Sequence, residues 1–410
     1  MRNLRIIRLG IWAAVFLTLV CSNVCASGAP VIDALGAVLM DVDTGRVLYE
    51  KNPHQRLPNA STTKIMTAIL LIEHCKMTDI IEASENACTT PYTSLHLMPG
   101  ETITAKDLLT GMLVRSANDA SVAAAEHIAG STENFAVVMN HKAASLGCTD
   151  TNFVTPNGLH DPDHYSSAYD LCLMTRYALR FKAFNEAIKT RKYFLDSRSL
   201  NKEDLCVYTH SKFLRSYPGA DGVKSGYTKQ SKTCYVGSAT RDGWRLVSAV
   251  LGSPNANAAT AALMDYGFDN FERVQVVRAN QKYGDAKVTG GRRSSVSALA
   301  TKSLSIPVAK KGSKVTTRLR FSSIEAPIEK GQRVGKIVAL VDGREVASVG
   351  LKAGEEMGIS LWRRGLILAK GCGMLVALLI VGRYGREITK GARRRRRRVA
   401  PSLRGYNRRR

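Results

Sequence analysis

Ser61 and Lys64 are the first residues in the sequence whose types and spacing could do chemistry. On a helix, a three-residue spacing places both side chains on one face, about one turn apart. A serine hydroxyl becomes a nucleophile when a base removes its proton, and a lysine can be that base if burial or a neighbouring cation lowers its pKa. The apolar run at 65–72 predicts a buried helix whose first turn holds Ser61, where free backbone N–H groups favour negative charge. Alone, the pair is a weak signal, because a helix cap followed by a solvated lysine has the same sequence.

Two later polar stretches could complete a catalytic cleft around this pair. Ser116 and Asn118 lie in a break at 115–119 between two predicted helices, where polar groups must find partners or face a cleft. Lys224 is predicted to lie on or beside a strand. Each residue also has a simpler interpretation, because Ser116 and Asn118 could cap a helix and Lys224 could be a solvated lysine on an edge strand. The catalytic hypothesis therefore depends on finding all three stretches in this order.

The segments between these motifs alternate between strand-like and helical patterns. The apolar run 34–41, a turn at 43–45 and the run 46–50 predict a β-hairpin before Ser61. A second hairpin is predicted by the Asp-Gly turn at 242–243. The other predicted elements are helices on both sides of the break within 101–130 and at 135–146, 168–181 and 258–271, strands at 233–240 and 244–251, and a loop at 152–160. The three motifs thus fall at a helix start, an interhelical turn and a strand.

The composition changes near residue 276, where helical runs give way to short strand-like pieces. These pieces lie at 302–308, 314–321, 333–341 and 344–351, with glycine-containing turns between them. We therefore expect a catalytic domain at 27–275 and a small all-β domain at 276–358.

Both ends of the chain carry targeting signals. Three arginines, an apolar run at 9–20 and small residues at 24–26 predict a signal peptide over residues 1–26. Residues 361–382 are predicted to be a membrane anchor, followed by an arginine-rich tail at 383–410. An exported body with positive charge beyond the anchor places the tail in the cytoplasm. A helix that lies on the outer membrane surface is the alternative.

The remaining composition limits the choice of partners and cofactors. Of the net charge of +25, the tail holds +12, so the body is moderately basic, which suits anionic membranes or wall polymers. Export argues against nucleic acid as a partner. No Cys-x-x-Cys pair or His-Glu-x-x-His motif occurs, so no metal or cofactor is expected. Six cysteines of the body could form disulfides after export, with a pairing that the sequence does not define (Cys75, Cys88, Cys148, Cys172, Cys206, Cys234).

The three motifs resemble those of the penicillin-interacting serine acyl-transferases, which are Ser-x-x-Lys, Ser-Asp-Asn and Lys-Thr-Gly. Here they read Ser-Thr-Thr-Lys at 61–64, Ser-Ala-Asn at 116–118 and Lys-Ser-Gly at 224–226. The second resembles the Ser-Gly-Asn form of the low-molecular-weight penicillin-binding proteins that are D-alanyl-D-alanine carboxypeptidases. Residues 221–228, 157–159 and the small β domain are also similar to that subgroup. The resemblance covers roughly residues 30–358 and implies an α/β (α+β), β-lactamase-like catalytic domain.

The resemblance also implies catalytic roles. Ser61 would attack the carbonyl of the terminal D-Ala–D-Ala bond of a peptidoglycan stem pentapeptide, and Lys64 would take the serine proton. Ser116, Asn118 and Lys224 would position the peptide and relay protons. Water would then hydrolyse the acyl-enzyme.

Substrate binding is implied for the strand motif. The backbone N–H groups of Ser61 and Tyr227 would form the oxyanion hole, and Gly226 belongs to the same motif. Ser225 would bind the terminal carboxylate, although the arginine that similar enzymes often carry after the hairpin has no counterpart at 253–258. β-Lactam antibiotics would act as acylating inhibitors. The enzyme would work on the outer face of a bacterial plasma membrane.

Two alternatives share parts of this site. A serine β-lactamase needs a rapid deacylation device, commonly a glutamate in a loop before the Lys-Ser-Gly strand, and no convincing match lies between Ser116 and Lys224. A β-lactamase also needs no anchor. A non-catalytic wall-binding or penicillin-binding protein would not require the intact set of motifs.

Overall fold

The computed structural model describes residues 28–203 and 205–398, and the side chains of these residues up to 393. The predicted signal peptide at 1–26 and residues 399–410 of the predicted tail lie outside the described residues. The described chain forms two compact units. The first comprises the described residues up to Val274 together with Ile306–Val315, and the second comprises Gln275–Ser305 and the described residues from Thr316 onward.

A five-stranded antiparallel sheet forms the centre of the first unit, with the strand order β2-β1-β9-β8-β7. Its strands are β1 Gly36–Asp41, β2 Val47–Lys51, β7 Ala220–Thr228, β8 Lys232–Arg241 and β9 Trp244–Ser253. Apolar side chains of β1 alternate between two separate cores. Val38 and Met40 pack in one core with helix residues such as Ile65, while Ala37 and Leu39 pack in the other with Leu263. Strands β1 and β9 are almost entirely buried and mostly apolar because both faces of the sheet are covered there.

Helices of the first unit supply the rest of these cores. They are α1 Lys64–His74, α2 Glu85–Cys88, α3 Ala105–Val114, α4 Asn118–Ala129, α5 Thr132–Ser145, α6 Ala168–Ala178, α7 Lys182–Lys189, α8 Lys212–Ser216 and α9 Ala256–Asn270. Short antiparallel pairs join β3 Ile80–Glu82 to β4 Thr102–Thr104 and β5 Lys192–Phe194 to β6 Cys206–Tyr208. Helix α1 is buried from Lys64 to Leu71, which agrees with the helix predicted from the apolar run at 65–72.

The second unit is built on a six-stranded sheet with the order β14-β16-β17-β12-β11-β15. Its strands are β11 Lys282–Thr289, β12 Ser295–Ala300, β14 Val315–Phe321, β15 Ile324–Glu325, β16 Arg333–Val341 and β17 Arg344–Ala353. Strands β10 Phe271–Val277 and β13 Leu304–Ala309 form a separate pair. The sequence pattern did not predict β10 or β11, in which charged residues interrupt the alternation. It also missed β12, although its residues alternate between half-buried and buried positions.

Helix α10, Leu361–Arg398, follows the last strand. Its segment Leu361–Arg393 is long and apolar enough to cross a membrane by length and composition. At its start, the Arg363 guanidinium donates a hydrogen bond of 3.1 Å to the Glu325 carboxylate on β15. The first turn of the helix is thereby fixed to the β-sheet of the same unit. The six cysteines considered as possible disulfide partners are free thiols.

Candidate active site

Ser61 lies in a 3₁₀ turn, Ala60–Thr63, that leads directly into α1 at Lys64. The expectation that Ser61 occupies the first turn of the α-helix is therefore wrong in detail. The turn is shaped by Ala60, which has a φ of 47°, and by Gly158, whose backbone packs against it. A Cβ atom on Gly158 would lie 2.0 Å from the Ala60 carbonyl oxygen. Glycine is required at 158 for the turn that presents Ser61.

Lys64 points its Nζ atom at Ser61 and is completely buried. Its Nζ donates to Ser61 Oγ at 3.0 Å, to Asn118 Oδ1 at 2.7 Å and to the Asn157 carbonyl oxygen at 2.7 Å. All three acceptors are uncharged. Burial, and secondly the charge of Lys224, hold the pKa of Lys64 well below its ordinary value, against an opposing effect of Asp119. The amine is thus suited to take a proton from the hydroxyl beside it.

Lys224 provides a second buried amine on β7, next to Ser116. Its Nζ donates to Ser116 Oγ at 2.8 Å and to the Ser225 carbonyl oxygen at 2.8 Å. Burial lowers the pKa of Lys224 to about 7. Ser116 is half-buried with a φ of 70°, in the break before α4. The structure therefore joins the second and third motifs directly.

Asn118, the first residue of α4, connects Lys64 to the opposite side of the site. Its Oδ1 accepts from Lys64, while its Nδ2 donates to the Pro91 carbonyl at 2.8 Å and its backbone N–H donates to the Thr93 carbonyl at 2.7 Å. We call residues 91–98 the rim segment. Asn118 thus holds both the Lys64 side chain and this segment by hydrogen bonds.

Strand β7 passes very close to Ser61 at Gly226. A Cβ atom there would lie 2.7 Å from the Ser61 backbone nitrogen and 2.9 Å from Ala60 Cβ. The absence of a side chain lets the strand approach the Ser61 N–H group. On either side of Gly226, Ser225 is half-buried and Tyr227 is 68% exposed, so both can reach a bound ligand. All eight site residues predicted from the sequence lie on the turn, the start of α1, α4, its preceding break and β7.

The sequence did not identify His164, which lies behind the Ser61 turn and is buried. Its Nδ1 accepts hydrogen bonds from the Val154 and Thr155 backbone N–H groups, at 3.0 and 3.2 Å. Nε2 lies 2.8 Å from Thr63 Oγ1, which itself donates to the Ala60 carbonyl, so Nε2 carries the proton. Burial lowers the pKa of His164 to about 4, and the ring is neutral at ordinary pH. His164 thereby ties the loop that carries the Asn157 carbonyl to the turn that carries Ser61.

Two buried charges that the sequence also left unassigned hold the rim segment from opposite sides. The Asp119 carboxylate accepts from the Leu95 N–H at 2.9 Å and from the Leu97 N–H at 3.1 Å. Arg198 donates to the Leu95 carbonyl at 2.9 Å and is itself paired with Glu101. The segment is therefore rigid where it borders Asn118. Within residues 28–203 and 205–398, no group of three His, Cys, Asp or Glu side chains could hold a metal ion.

Two family models match the chain. The model described as D-alanyl-D-alanine carboxypeptidase, Peptidase_S11, matches residues 23–255. The model described as Penicillin-binding protein 5, C-terminal domain, matches residues 271–358. Together they cover most of both units but neither residues 256–270 nor α10.

Individual relatives agree with this assignment. The chain is 36% identical over 337 residues to D-alanyl-D-alanine carboxypeptidase DacF of Bacillus subtilis, covering 79% of this chain and 86% of the relative. It is 32% identical to DacC of Escherichia coli, covering 78% of this chain and 82% of that protein. Among solved structures, penicillin binding protein 5 of Haemophilus influenzae has a TM-score of 0.70 at 30% identity, covering 81% of this chain and 100% of that chain. The fold class predicted from the resemblance is confirmed.

Proposed function

The chain belongs to the D-alanyl-D-alanine carboxypeptidase family, and on that premise we propose that Ser61 is its nucleophile and Lys64 its base. The predicted function, a serine-type D-alanyl-D-alanine carboxypeptidase and therefore a hydrolase, is confirmed by the family match and by curated relatives that are 30–36% identical. This sets aside both alternatives, the β-lactamase and the non-catalytic binding protein. The assignment of individual residues is our proposal.

One observation supports the roles of Ser61 and Lys64 most directly. Lys64 is fully buried, touches Ser61 Oγ and is surrounded by uncharged acceptors. A lysine in such surroundings is neutral over a wider pH range than a solvated one, so it can act as a general base. No such inference would follow from a solvated lysine at the same spacing.

Acylation begins when Lys64 takes the proton of Ser61 and Oγ attacks the carbonyl carbon of the D-Ala–D-Ala peptide bond. The oxyanion is stabilised by the backbone N–H groups of Ser61 and Tyr227, a role supported by the close approach of β7 at Gly226. The carbon–nitrogen bond then breaks. Its nitrogen receives a proton from the Ser116 hydroxyl, which is hydrogen-bonded to Lys224. The proton that Lys64 took from Ser61 then replaces the one lost by Ser116, so Lys64 is neutral again before water enters. D-Alanine leaves and an ester on Ser61 remains.

Deacylation repeats this chemistry with water as the nucleophile. Lys64 removes a proton from water, the hydroxide attacks the ester, and Oγ recovers its proton as the shortened peptide leaves. Asn118 holds the Lys64 amine in place in both half-reactions. The terminal carboxylate is bound by the Ser225 hydroxyl with help from the charge of Lys224. This division of roles is consistent with the absence of an arginine between Ser253 and Ala258.

The experiment that tests the assignment compares Ser61→Ala with Ser216→Ala, an exposed serine at the end of α8. Release of D-alanine from a pentapeptide ending in D-Ala–D-Ala is expected to fall on the order of 10⁴-fold or more in the first variant. It should be unchanged in the second. Labelling with a fluorescent penicillin should be lost in parallel. Persistent labelling of a folded Ser61→Ala protein would refute Ser61 as the nucleophile.

We further propose that the substrate is a peptidoglycan stem peptide at the outer face of the plasma membrane, with α10 as the anchor. The segment Leu361–Arg393 has the length and composition of a membrane-crossing helix. β-Lactams would acylate Ser61 in place of the peptide. In the same labelling experiment, the fluorescent band should sediment with membranes and should become soluble after deletion of residues 361–410. A truncated protein that still sediments would contradict the anchor.

A further inference from the structure

Tyr92, in the rim segment, combines two properties that are unfavourable for a folded chain. Its φ is 73°, in the left-handed region, and its side chain is 82% exposed. Among the described non-glycine residues with positive φ, it is the only Phe, Tyr or Trp. A bulky side chain in this region is a genuine outlier, and such strain persists only where the surrounding structure imposes it.

Hydrogen bonds from Asn118, a residue of the proposed catalytic site, hold Tyr92 in this conformation. Asn118 is hydrogen-bonded to the residues on both sides of Tyr92. Its Nδ2 donates to the Pro91 carbonyl, and its backbone N–H donates to the Thr93 carbonyl. Tyr92 is therefore held within one residue of two anchor points on the group that also binds Lys64. Further along the rim segment, the hydrogen bonds of Asp119 to Leu95 and Leu97 prevent relaxation.

The Tyr92 ring adds little stability to the fold that could offset this strain. With most of its surface in solvent, it buries little apolar area. Among the described residues its hydroxyl has no hydrogen-bond partner, and no other ring or cation contacts it. An exposed aromatic side chain at a fixed place beside a catalytic residue is typical of a ligand-binding surface.

We propose that Tyr92 is a specificity-determining residue that binds the side chain of the substrate residue preceding D-Ala–D-Ala. This inference depends on the proposed function, because that function places the terminal carboxylate at Ser225 and Lys224 on β7. The acyl part of the peptide then extends past Asn118 toward the rim segment. In wall peptides this residue carries a long aliphatic side chain with a terminal amino group. The face of the ring packs on the methylene groups, and its electrons attract the ammonium.

The test compares two peptides that differ in that side chain alone, N-acetyl-L-lysyl-D-alanyl-D-alanine and N-acetyl-L-alanyl-D-alanyl-D-alanine. For the wild type we expect the lysyl peptide to be preferred in kcat/KM. In Tyr92→Ala this preference should fall about tenfold, as expected for loss of one packed aromatic contact, with the change mainly in KM. Tyr92→Phe should keep the preference. Tyr208→Ala, which removes an exposed tyrosine on β6, is the matched control and should also keep it.

A glycine variant separates recognition from stability. Tyr92→Gly removes both the ring and the strain, so its Tm should rise while the preference for the lysyl peptide falls as in Tyr92→Ala. An unchanged preference in both variants would overturn the proposal. So would a lower Tm in Tyr92→Gly, because the ring would then be serving the fold.

Failure of the proposed function would be visible separately, as wild-type protein that releases no D-alanine from either peptide. The binding of both peptides to Ser61→Ala, measured by calorimetry with and without Tyr92→Ala, does not require catalysis. A Kd ratio that changes with Tyr92 supports the role in recognition, and a constant ratio refutes it.

Discussion

Buried cations occur in two places in the first unit, and their partners differ in kind. Lys64 and Lys224 are hydrogen-bonded to hydroxyl, amide and carbonyl oxygens, none of which carries a charge. Arg198 instead makes two hydrogen bonds to the Glu101 carboxylate, of 2.8 and 2.9 Å, in an ion pair in which both side chains are fully buried. The three side chains are buried to a similar degree. Only the arginine, however, has a charged partner.

The difference separates the lysines, for which we propose proton exchange, from an arginine that is bound in an ion pair. Burial without a counter-charge favours the neutral form of a lysine, so both site lysines have lowered pKa values. A guanidinium remains charged, and pairing with Glu101 offsets the cost of its burial. The Arg198 pair also lowers the pKa of Glu101, although burial opposes this. The first arrangement suits the proton transfer that we propose for the lysines, and the second holds the rim segment through the hydrogen bond of Arg198 to the Leu95 carbonyl.

Exchanging the type of cation at the catalytic position should have the largest effect. Lys64→Arg places a permanent charge beside Ser61, so no base is available and acylation should slow by about 10³- to 10⁴-fold. The rate of labelling by a chromogenic or fluorescent β-lactam measures this. Because the guanidinium cannot be deprotonated, raising the pH to 10 should not restore the rate of labelling. Lys182→Arg, on the exposed surface of α7, is the matched control. Recovery of Lys64→Arg at high pH would contradict the proposed role of Lys64.

Replacing Arg198, the permanently charged cation, should lower the free energy of unfolding more than it lowers the rate of acylation. Arg198→Met leaves the Glu101 carboxylate buried without a partner and should lower the free energy of unfolding by about 3–5 kcal/mol. Urea denaturation followed by circular dichroism measures the loss. The double variant Arg198→Met/Glu101→Leu replaces the pair by apolar groups and should recover much of the stability. If the single variant is as stable as the wild type, the pair does not hold the rim segment as described.

The smallest effect expected is a shift in the pH dependence of acylation. Lys64 accepts a proton only when neutral, so the rate rises with pH as Lys64 loses its proton. The charge of Lys224 helps to lower the pKa of Lys64, and Lys224→Gln removes that charge. The pKa of Lys64 should therefore rise and the acidic limb of the rate profile should move to higher pH. The pH dependence of acylation in the control variant Arg198→Met/Glu101→Leu should be the same as in the wild type. A limb that stays fixed in Lys224→Gln would show that the two lysines are not coupled.

The part of the site that could be predicted from the sequence is the part encoded by local motifs. Ser61, Lys64, Ser116, Asn118 and Lys224 each lie in a short stretch whose residue types suggest their chemistry. The structure brings them together through hydrogen bonds of 2.7–3.0 Å. Their order along the chain and their sequence contexts were sufficient because turns, helix starts and strands are locally encoded.

The supporting interactions could not be predicted because they join distant residues or use backbone atoms. Thr63 and His164 are 101 positions apart, and Arg198 and Glu101 are 97 positions apart. The Asn157 group that contacts Lys64 is a carbonyl, which any residue type would supply. The 3₁₀ turn at Ser61 depends on contact with Gly158, so the local sequence predicted a regular helix instead.

The two glycines that press against the Ser61 turn also limit how this enzyme can evolve. Any side chain at Gly158 or Gly226 would overlap the backbone or Cβ atom of residues 60–61. Substitutions there would displace Ser61, the nucleophile in our proposal, and should therefore impair the reaction with an antibiotic and with the natural peptide alike. On the proposed function, variants that distinguish an antibiotic from the natural peptide are therefore expected at positions such as Ser225 or Tyr227 rather than at the two glycines behind Ser61.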